Sequence, residues 1–260
     1  MKELNKLLLL CISCLFFLTS CEKVIDLPLK EVEPILVVEG AVTNLETQQV
    51  VLLSETQPFN SVLGRKAVSG AEVFLNENNG SWHKLQEVQQ GRYILDGMRG
   101  KPGSTYGLLV NYAGESYQAN STMPDLVRID STGISTNTFD DSRRTPLVLY
   151  QDPPNIKNYY YFQLRINDVI SSSLFIYNDK FNDGKTVLQN LDDFSLSLKN
   201  GDSVVVELRN IDEEGFNYWK GVQSQSGTSA SPGNPPSNLS NGALGYFSAF
   251  AANSVYFNVD

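Results

Sequence analysis

The 260-residue chain sets 20 Lys and Arg against 29 Asp and Glu, for a formal charge of −9, and has 41% hydrophobic residues. That length and apolar content suit one large domain or two modest ones, each able to bury a core. So acidic a surface, with no basic stripe to offset it, repels phosphate backbones and argues against nucleic acid as a partner; its ordinary effect is solubility.

Lys2 and Lys6 give the chain a positive start, and residues 7–18 are an apolar run. As a helix that run would be about 18 Å long, too short for a hydrocarbon core of about 30 Å. Residues 1–20 therefore read as a secretory leader rather than a membrane span. The leader ends in Leu18-Thr19-Ser20-Cys21, which resembles the lipobox of bacterial lipoproteins. The resemblance implies cleavage before Cys21, a diacylglyceryl group on its thiol and acylation of the new amino terminus. Each buried methylene contributes about 0.8 kcal/mol, so two or three acyl chains anchor a protein firmly to a membrane. Cys11 and Cys14 lie inside the leader and read as filler rather than a redox pair. Past the cut only Cys21 remains, which leaves no internal disulfide and no cysteine-built zinc site.

Residues 21–34, with Pro28 and Pro34 among alternating charges, read as a tether. Strand signals then recur at 35–39, 50–53, 71–75, 82–88, 92–96, 105–111 and 116–120, separated by Gly, Pro and Asn. Short strands at this spacing predict a β-sandwich over residues 35–124. Gly91-Arg92-Tyr93 and Pro102-Gly103-Ser104-Thr105-Tyr106 resemble a paired pattern of prealbumin-like and carboxypeptidase-regulatory-like sandwiches. In that pattern glycine permits the turn and the aromatic enters the core at the strand start.

Met123-Pro124-Asp125 marks a boundary, since proline stops a ladder. Residues 125–260 read as a second β-rich domain with strands at 126–134, 146–150, 158–167 and 203–208. The third alternates most clearly, with Tyr160, Phe162, Leu164 and Ile166 on one face and Tyr159, Tyr161, Gln163 and Arg165 on the other. One helix is predicted from near Asp212, with Phe216, Trp219 and Val222 sharing a face and Gly215 weakening it. Residues 224–241 are a Ser/Pro/Asn/Gly loop, followed by two closing strands at about 244–251 and 254–259. The expected fold is mainly β: an N-terminal Ig-like or prealbumin-like β-sandwich, then a second β-rich domain with one helix.

Asn234-Pro235-Pro236-Ser237-Asn238-Leu239 and Asn241-Gly242-Ala243-Leu244-Gly245-Tyr246-Phe247-Ser248-Ala249-Phe250 are similar to a Bacteroidota lipoprotein family known as domain of unknown function number 4249. Weaker echoes are Val24-Ile25-Asp26-Leu27 after Cys21, Val38-Glu39-Gly40-Ala41-Val42-Thr43, Ile129-Asp130-Ser131 and Tyr218-Trp219. The resemblance implies a surface or outer-membrane lipoprotein, often encoded beside TonB-dependent receptors. It transfers no catalytic residue, and Cys21 alone carries over, as the lipid site.

The residues nominate no catalytic, cofactor or metal group. His83 is the only histidine, which precludes paired-histidine metal motifs, and no G-x-S-x-G elbow accompanies it. Residues 179–184 hint at a calcium loop through Asp179, Asp183 and Gly184. Phe181 and Asn190 stand where such a loop needs oxygen ligands, so a turn is the better reading. The acidic runs Asp192-Asp193 and Asp212-Glu213-Glu214 have no placed partners. Asp130-Ser131-Thr132 and Asp202-Ser203-Val204 resemble the short Asp-Ser/Thr-apolar motif that directs O-glycosylation in these bacteria, which makes Ser131 and Ser203 candidates, Ser131 first. The many aromatics fit cross-strand pairing better than sugar stacking. The expected function is a non-enzymatic accessory lipoprotein, anchored to the outer membrane at Cys21 on the periplasmic face or cell surface, working with a TonB-dependent receptor in uptake. The alternative is a glycan-binding or adhesive module.

Overall fold

Strands dominate the computed structural model, which describes residues 33–57, 65–136, 143–225 and 233–260. The leader, Cys21 and nearly all of the tether lie outside these residues.

The chain begins with β1 (Leu36–Thr43), β2 (Gln49–Glu55), β3 (Lys66–Ala67), β4 (Glu72–Glu77) and β5 (His83–Lys84). It continues with β6 (Gln86–Gln89), β7 (Arg92–Leu95), β8 (Thr105–Tyr112) and β9 (Glu115–Thr122). β1, β2, β7 and β6 lie side by side in one sheet, with β3 also on β2, while a second sheet runs β5-β4-β8-β9. Val38, Val51 and Tyr93 of the first meet Val73, Leu75 and Leu108 of the second in one core. The alternation of β1, buried then half-buried throughout, is what a sheet with one packed face requires.

The glycine–tyrosine pattern takes the predicted form. Gly91 and Gly103 hold φ of 71° and 81°, a region that costs a Cβ-bearing residue energy. Tyr93 and Tyr106 follow into the core at 1% and 0% exposure. Each buried hydroxyl finds loop backbone. Tyr93 Oη donates to Val68 O (3.2 Å) and accepts from Ala71 N (3.1 Å), and Tyr106 Oη accepts from Lys101 N (2.8 Å).

Beyond Met123 come β10 (Ile129–Thr136), β11 (Arg144–Gln151), β12 (Tyr159–Ile166), β13 (Val169–Ile170) and β14 (Phe175–Asn178). Then follow β15 (Thr186–Asn190), β16 (Ser203–Ile211), helix α1 (Glu213–Gln225) and β17 (Leu244–Asn258). β10, β11 and β15 form one sheet; β12, with β13 and β14 on it, joins β16 in the other. A second core fills the space between them, where Tyr150 packs 4.9 Å from Tyr160 and 5.7 Å from Phe162. The fold is mainly β, a β-sandwich followed by a second β-rich part with one helix among the described residues.

Two closing strands were expected, and the structure makes one 15-residue strand, β17. Instead of turning near Asn253, the chain changes neighbours. Residues 244–250 pair with β1 in parallel, and residues 251–258 pair with β16 antiparallel. β17 thus completes both parts, and one continuous ladder crosses the division at residue 124. Such an exchange leaves half of each edge of β17 without a partner strand. Side chains bond part of those halves. On one edge, Asn238 accepts from Phe247 N (3.0 Å) and donates to Phe247 O (2.7 Å). Ser121 Oγ accepts from Ala249 N (2.7 Å), and, where β16 takes over, Asn210 Nδ2 donates to Ala251 O (3.0 Å). On the other edge, Asn44 binds both N and O of Ala252, at 2.7 and 3.1 Å. A side-chain amide offers a donor and an acceptor together, as a neighbouring strand would.

Candidate functional site

Of the residues nominated from sequence, Cys21 lies outside the described residues. Ser131 stands exposed on β10, at a bulge between Ile129 and Ser131. Its hydroxyl is open to a modifying enzyme. Ser203 is half-buried at the start of β16, and its N and Oγ both donate to Asn167 Oδ1, at 2.9 and 3.4 Å. Modification there would have to break that turn. His83 is exposed on β5 and borders a shallow cleft of about 430 Å³ with Glu77, Asp96, Arg99 and Lys101. The residues lining it include no serine or cysteine nucleophile.

Helix α1 explains the aromatic excess better than cross-strand pairing alone. It lies on the outer face of the sheet, where Phe216 meets Tyr159 (4.9 Å) and Trp219 meets Tyr161 (5.1 Å). Tyr218 and Trp219 also pack on Tyr246 of β17, at 4.6 and 5.2 Å. Arg209 stacks on Tyr161 and Phe250, at 5.3 and 4.8 Å. Covering an outward face in this way is why Tyr161, placed opposite the core by its alternation, is only 8% exposed. Gly221 lets the loop after the helix come close, since a Cβ there would lie 2.8 Å from Pro236 and 3.1 Å from Pro235. Residues 226–232 of that loop lie outside the described residues. The rest is pinned by Asn238, by Ser240 Oγ accepting from Gln118 N (2.8 Å) and by Asn241 donating to Ser116 O (2.6 Å).

Asp212 caps the helix, accepting from Gly215 N (2.9 Å) and from Ser121 Oγ of β9. Burial pushes its carboxyl up to about 6, against the hydrogen bonds from Ser121 and Gly215 that favour its charge. A folded state that holds this proton more tightly than the unfolded chain gains stability on acidification. That gain is largest near pH 4 and is lost as pH rises through 6. Asp212→Asn keeps the cap acceptor without the buried charge. It should raise unfolding free energy at pH 7.5 by about 2 kcal/mol, with the difference from the parent shrinking towards pH 4. Urea denaturation at the two pH values checks this.

A larger cleft of about 670 Å³ opens beside α1 within the second part, lined by Ser172, Ser173, Tyr177, Asn190, Asp192 and Gln223. Hydroxyls, amides and an aromatic ring among the lining residues suit a polar ligand with an apolar face, such as a sugar.

The family model described as Domain of unknown function (DUF4249) matches residues 22–255. The chain belongs to this family. No curated protein matches it. Among solved structures, a two-domain fibronectin type III segment of chicken tenascin aligns with 87% of this DUF4249 chain and 99% of its own length. The identity is 11% and the TM-score 0.25. A chicken interferon gamma receptor alpha chain aligns with 69% of the chain and 90% of its own, at 8% identity and a TM-score of 0.22. At these scores neither structure carries an argument. Residues 234–239 and 241–250, which lie within the matched span, seat β17: Asn238 holds its free edge, and Gly245 (φ 95°) lies against β1.

Proposed function

We propose that this DUF4249 chain is a bacterial lipoprotein of the Bacteroidota kind. In this reading it is anchored at Cys21 in the outer membrane and acts without catalysis, as a binding partner of a TonB-dependent receptor in nutrient uptake. The observation that carries the reading is the complete Leu18-Thr19-Ser20-Cys21 lipobox at the end of a short apolar leader. It is supported by the pinned loop of residues 233–241, whose inner contacts are already made. A pre-ordered loop loses little conformational freedom on binding, which suits a contact surface. The exposed Asn234 is our preferred contact residue.

Affinity purification of the lipidated protein from solubilised membranes tests this. A TonB-dependent receptor should co-purify, Cys21→Ala should move the protein out of the membrane fraction, and Asn234→Arg should cut receptor recovery at least fivefold. Consistent failure to recover a receptor with the lipidated form would remove the proposal. Protease shaving of intact cells decides between the cell surface and the periplasmic face.

The 670 Å³ cleft favours a second reading, a glycan-binding module. A glycan array probed with the unmodified chain and with Asn190→Ala should then show hits that the variant loses. A uniformly negative array counts against it.

A further inference from the structure

Three carboxylates from separate stretches meet in the second β-rich part. Asp152 follows β11, Asp179 follows β14, and Asp183 lies in the turn before β15. Ligand oxygens of the three all lie within 4.8 Å of one another. Asp152 is 0% and Asp179 9% exposed, while Asp183 faces solvent. Among the described residues, no Lys or Arg pairs with any of them. The two nearby lysines are engaged elsewhere: Lys185 Nζ donates to Phe181 O (2.9 Å), and Lys180 lies 5.5 Å from the Phe181 ring. Close carboxylates without counter-charge repel, and burial sharpens the repulsion. Burial, followed by the fields of Asp179 and Asp183, lifts the Asp152 carboxyl above its usual range despite hydrogen bonds from Tyr160 and Gly184.

A second observation is independent of these charges. Asn158 is 6% exposed, and its Oδ1 has no hydrogen-bond partner. An amide oxygen buried without a donor is costly and calls for an explanation. Asn158 directly precedes β12, and the pleat puts its side chain on the same face as Tyr160. The hydroxyl of Tyr160 donates to Asp152 Oδ1. Asn158 also stands opposite Asp179: Asp179 N donates to Asn158 O (3.2 Å), and Asn158 N donates to Asp179 Oδ2 (2.7 Å). Opposed residues of an antiparallel pair share a face, so the Asn158 side chain leaves its strand on the side of Asp179 and Tyr160.

We propose that Asp152, Asp179, Asp183 and the Asn158 amide oxygen form a binding site for a calcium ion. An all-oxygen donor set with no histidine or cysteine suits a hard cation rather than zinc or copper. Three protein carboxylates favour Ca²⁺ over Mg²⁺, which keeps most of its water and takes one or two carboxylates. Two oxygens each about 2.4 Å from one ion are at most about 4.8 Å apart, the span the cluster already has. The frame is held apart from any ion: Gly184 N donates to Asp152 Oδ2 (3.0 Å), and Asn155 N donates to Asp183 Oδ1 (2.8 Å). Comparing residues 179–184 alone with a helical calcium loop misses this site, because Asp152 and Asn158 come from the preceding connection.

The test is the thermal midpoint of the full-length chain in detergent, measured in EDTA, 5 mM CaCl₂, 5 mM MgCl₂ and NaCl of matched ionic strength, with Asp183→Asn beside the parent. Ca²⁺ should raise the parent's midpoint by several degrees, and more than Mg²⁺ or NaCl does. Asp183→Asn should lose most of that shift and bind Ca²⁺ at least tenfold more weakly by calorimetry. In EDTA its midpoint should equal or exceed the parent's, because it relieves carboxylate repulsion and Asn keeps the acceptor for Asn155 N. Absence of a Ca²⁺ shift in the parent, an equal shift in Asp183→Asn, or a larger shift with Mg²⁺ overturns the proposal.

Discussion

Gly245→Ala should lower the free energy of unfolding by about 4 kcal/mol or more, enough to leave much of the chain unfolded at 37 °C. A Cβ at this position would sit 1.9 Å from Val38 O and 2.8 Å from Val38 C, well inside van der Waals contact. The obstacle is backbone of β1, which cannot swing aside as a side-chain tip could. Its displacement would break the parallel ladder that begins at Val37–Leu244 and Val38–Gly245. The backbone angle adds to the cost, since φ is 95°. Gly242→Ala is the matched control. It also has positive φ (72°), but a Cβ there meets nothing within 4 Å, so its cost should be about 1 kcal/mol. Guanidinium denaturation of both variants separates steric exclusion from torsional preference. Equal losses would mean that the close approach of β1 and β17 contributes nothing.

The next largest effect is expected at Asn210, which is 1% exposed where β16 and β17 begin to pair. Its Nδ2 donates to Val127 O (3.2 Å) and Ala251 O (3.0 Å), and its Oδ1 accepts from Val127 N (3.2 Å). One amide therefore ties the connection before β10 to the strand shared by both parts. Asn210→Leu keeps the volume and removes all three bonds, which leaves backbone groups buried without partners. Each such group costs about 1–3 kcal/mol, and shared relaxation should hold the total near 3 kcal/mol. Gln48→Ala, which removes an exposed bond to Asp96 (2.8 Å), should change stability by less than about 0.5 kcal/mol. A loss at Asn210 no larger than at Gln48 would show that water replaces its bonds and that the junction is not dry.

Both positions lay in plain view in the sequence, yet only one of them signalled a role. Gly245 stood in the stretch most similar to the family, and its conformational freedom was a reasonable guess there. That the freedom serves a parallel approach to β1 could not be read, because Val38 lies at the other end of the chain. Asn210 lies two residues past the predicted strand at 203–208 and carries no local signal. Its burial depends on β17 changing neighbours at that point, and no local pattern encodes the exchange. The same limit explains why residues 244–259 read as two strands: Asn253 resembles a turn residue. In the fold its Oδ1 accepts from Ile129 N (3.4 Å) within an unbroken strand.

By itself the sequence determined the sandwich character, the core places of Tyr93 and Tyr106 and the amphipathic strand predicted at 158–167. Those features are legible because their causes are local: glycine before a core aromatic, and a period of two. Tertiary structure alone decided that β17 unites the two parts, that α1 covers an outward tyrosine face, and that Asp152 joins Asp179 and Asp183. Each of these depends on residues distant in the chain sharing unpaired hydrogen-bonding groups, apolar faces or charge. Such needs are met only when the strands are laid side by side.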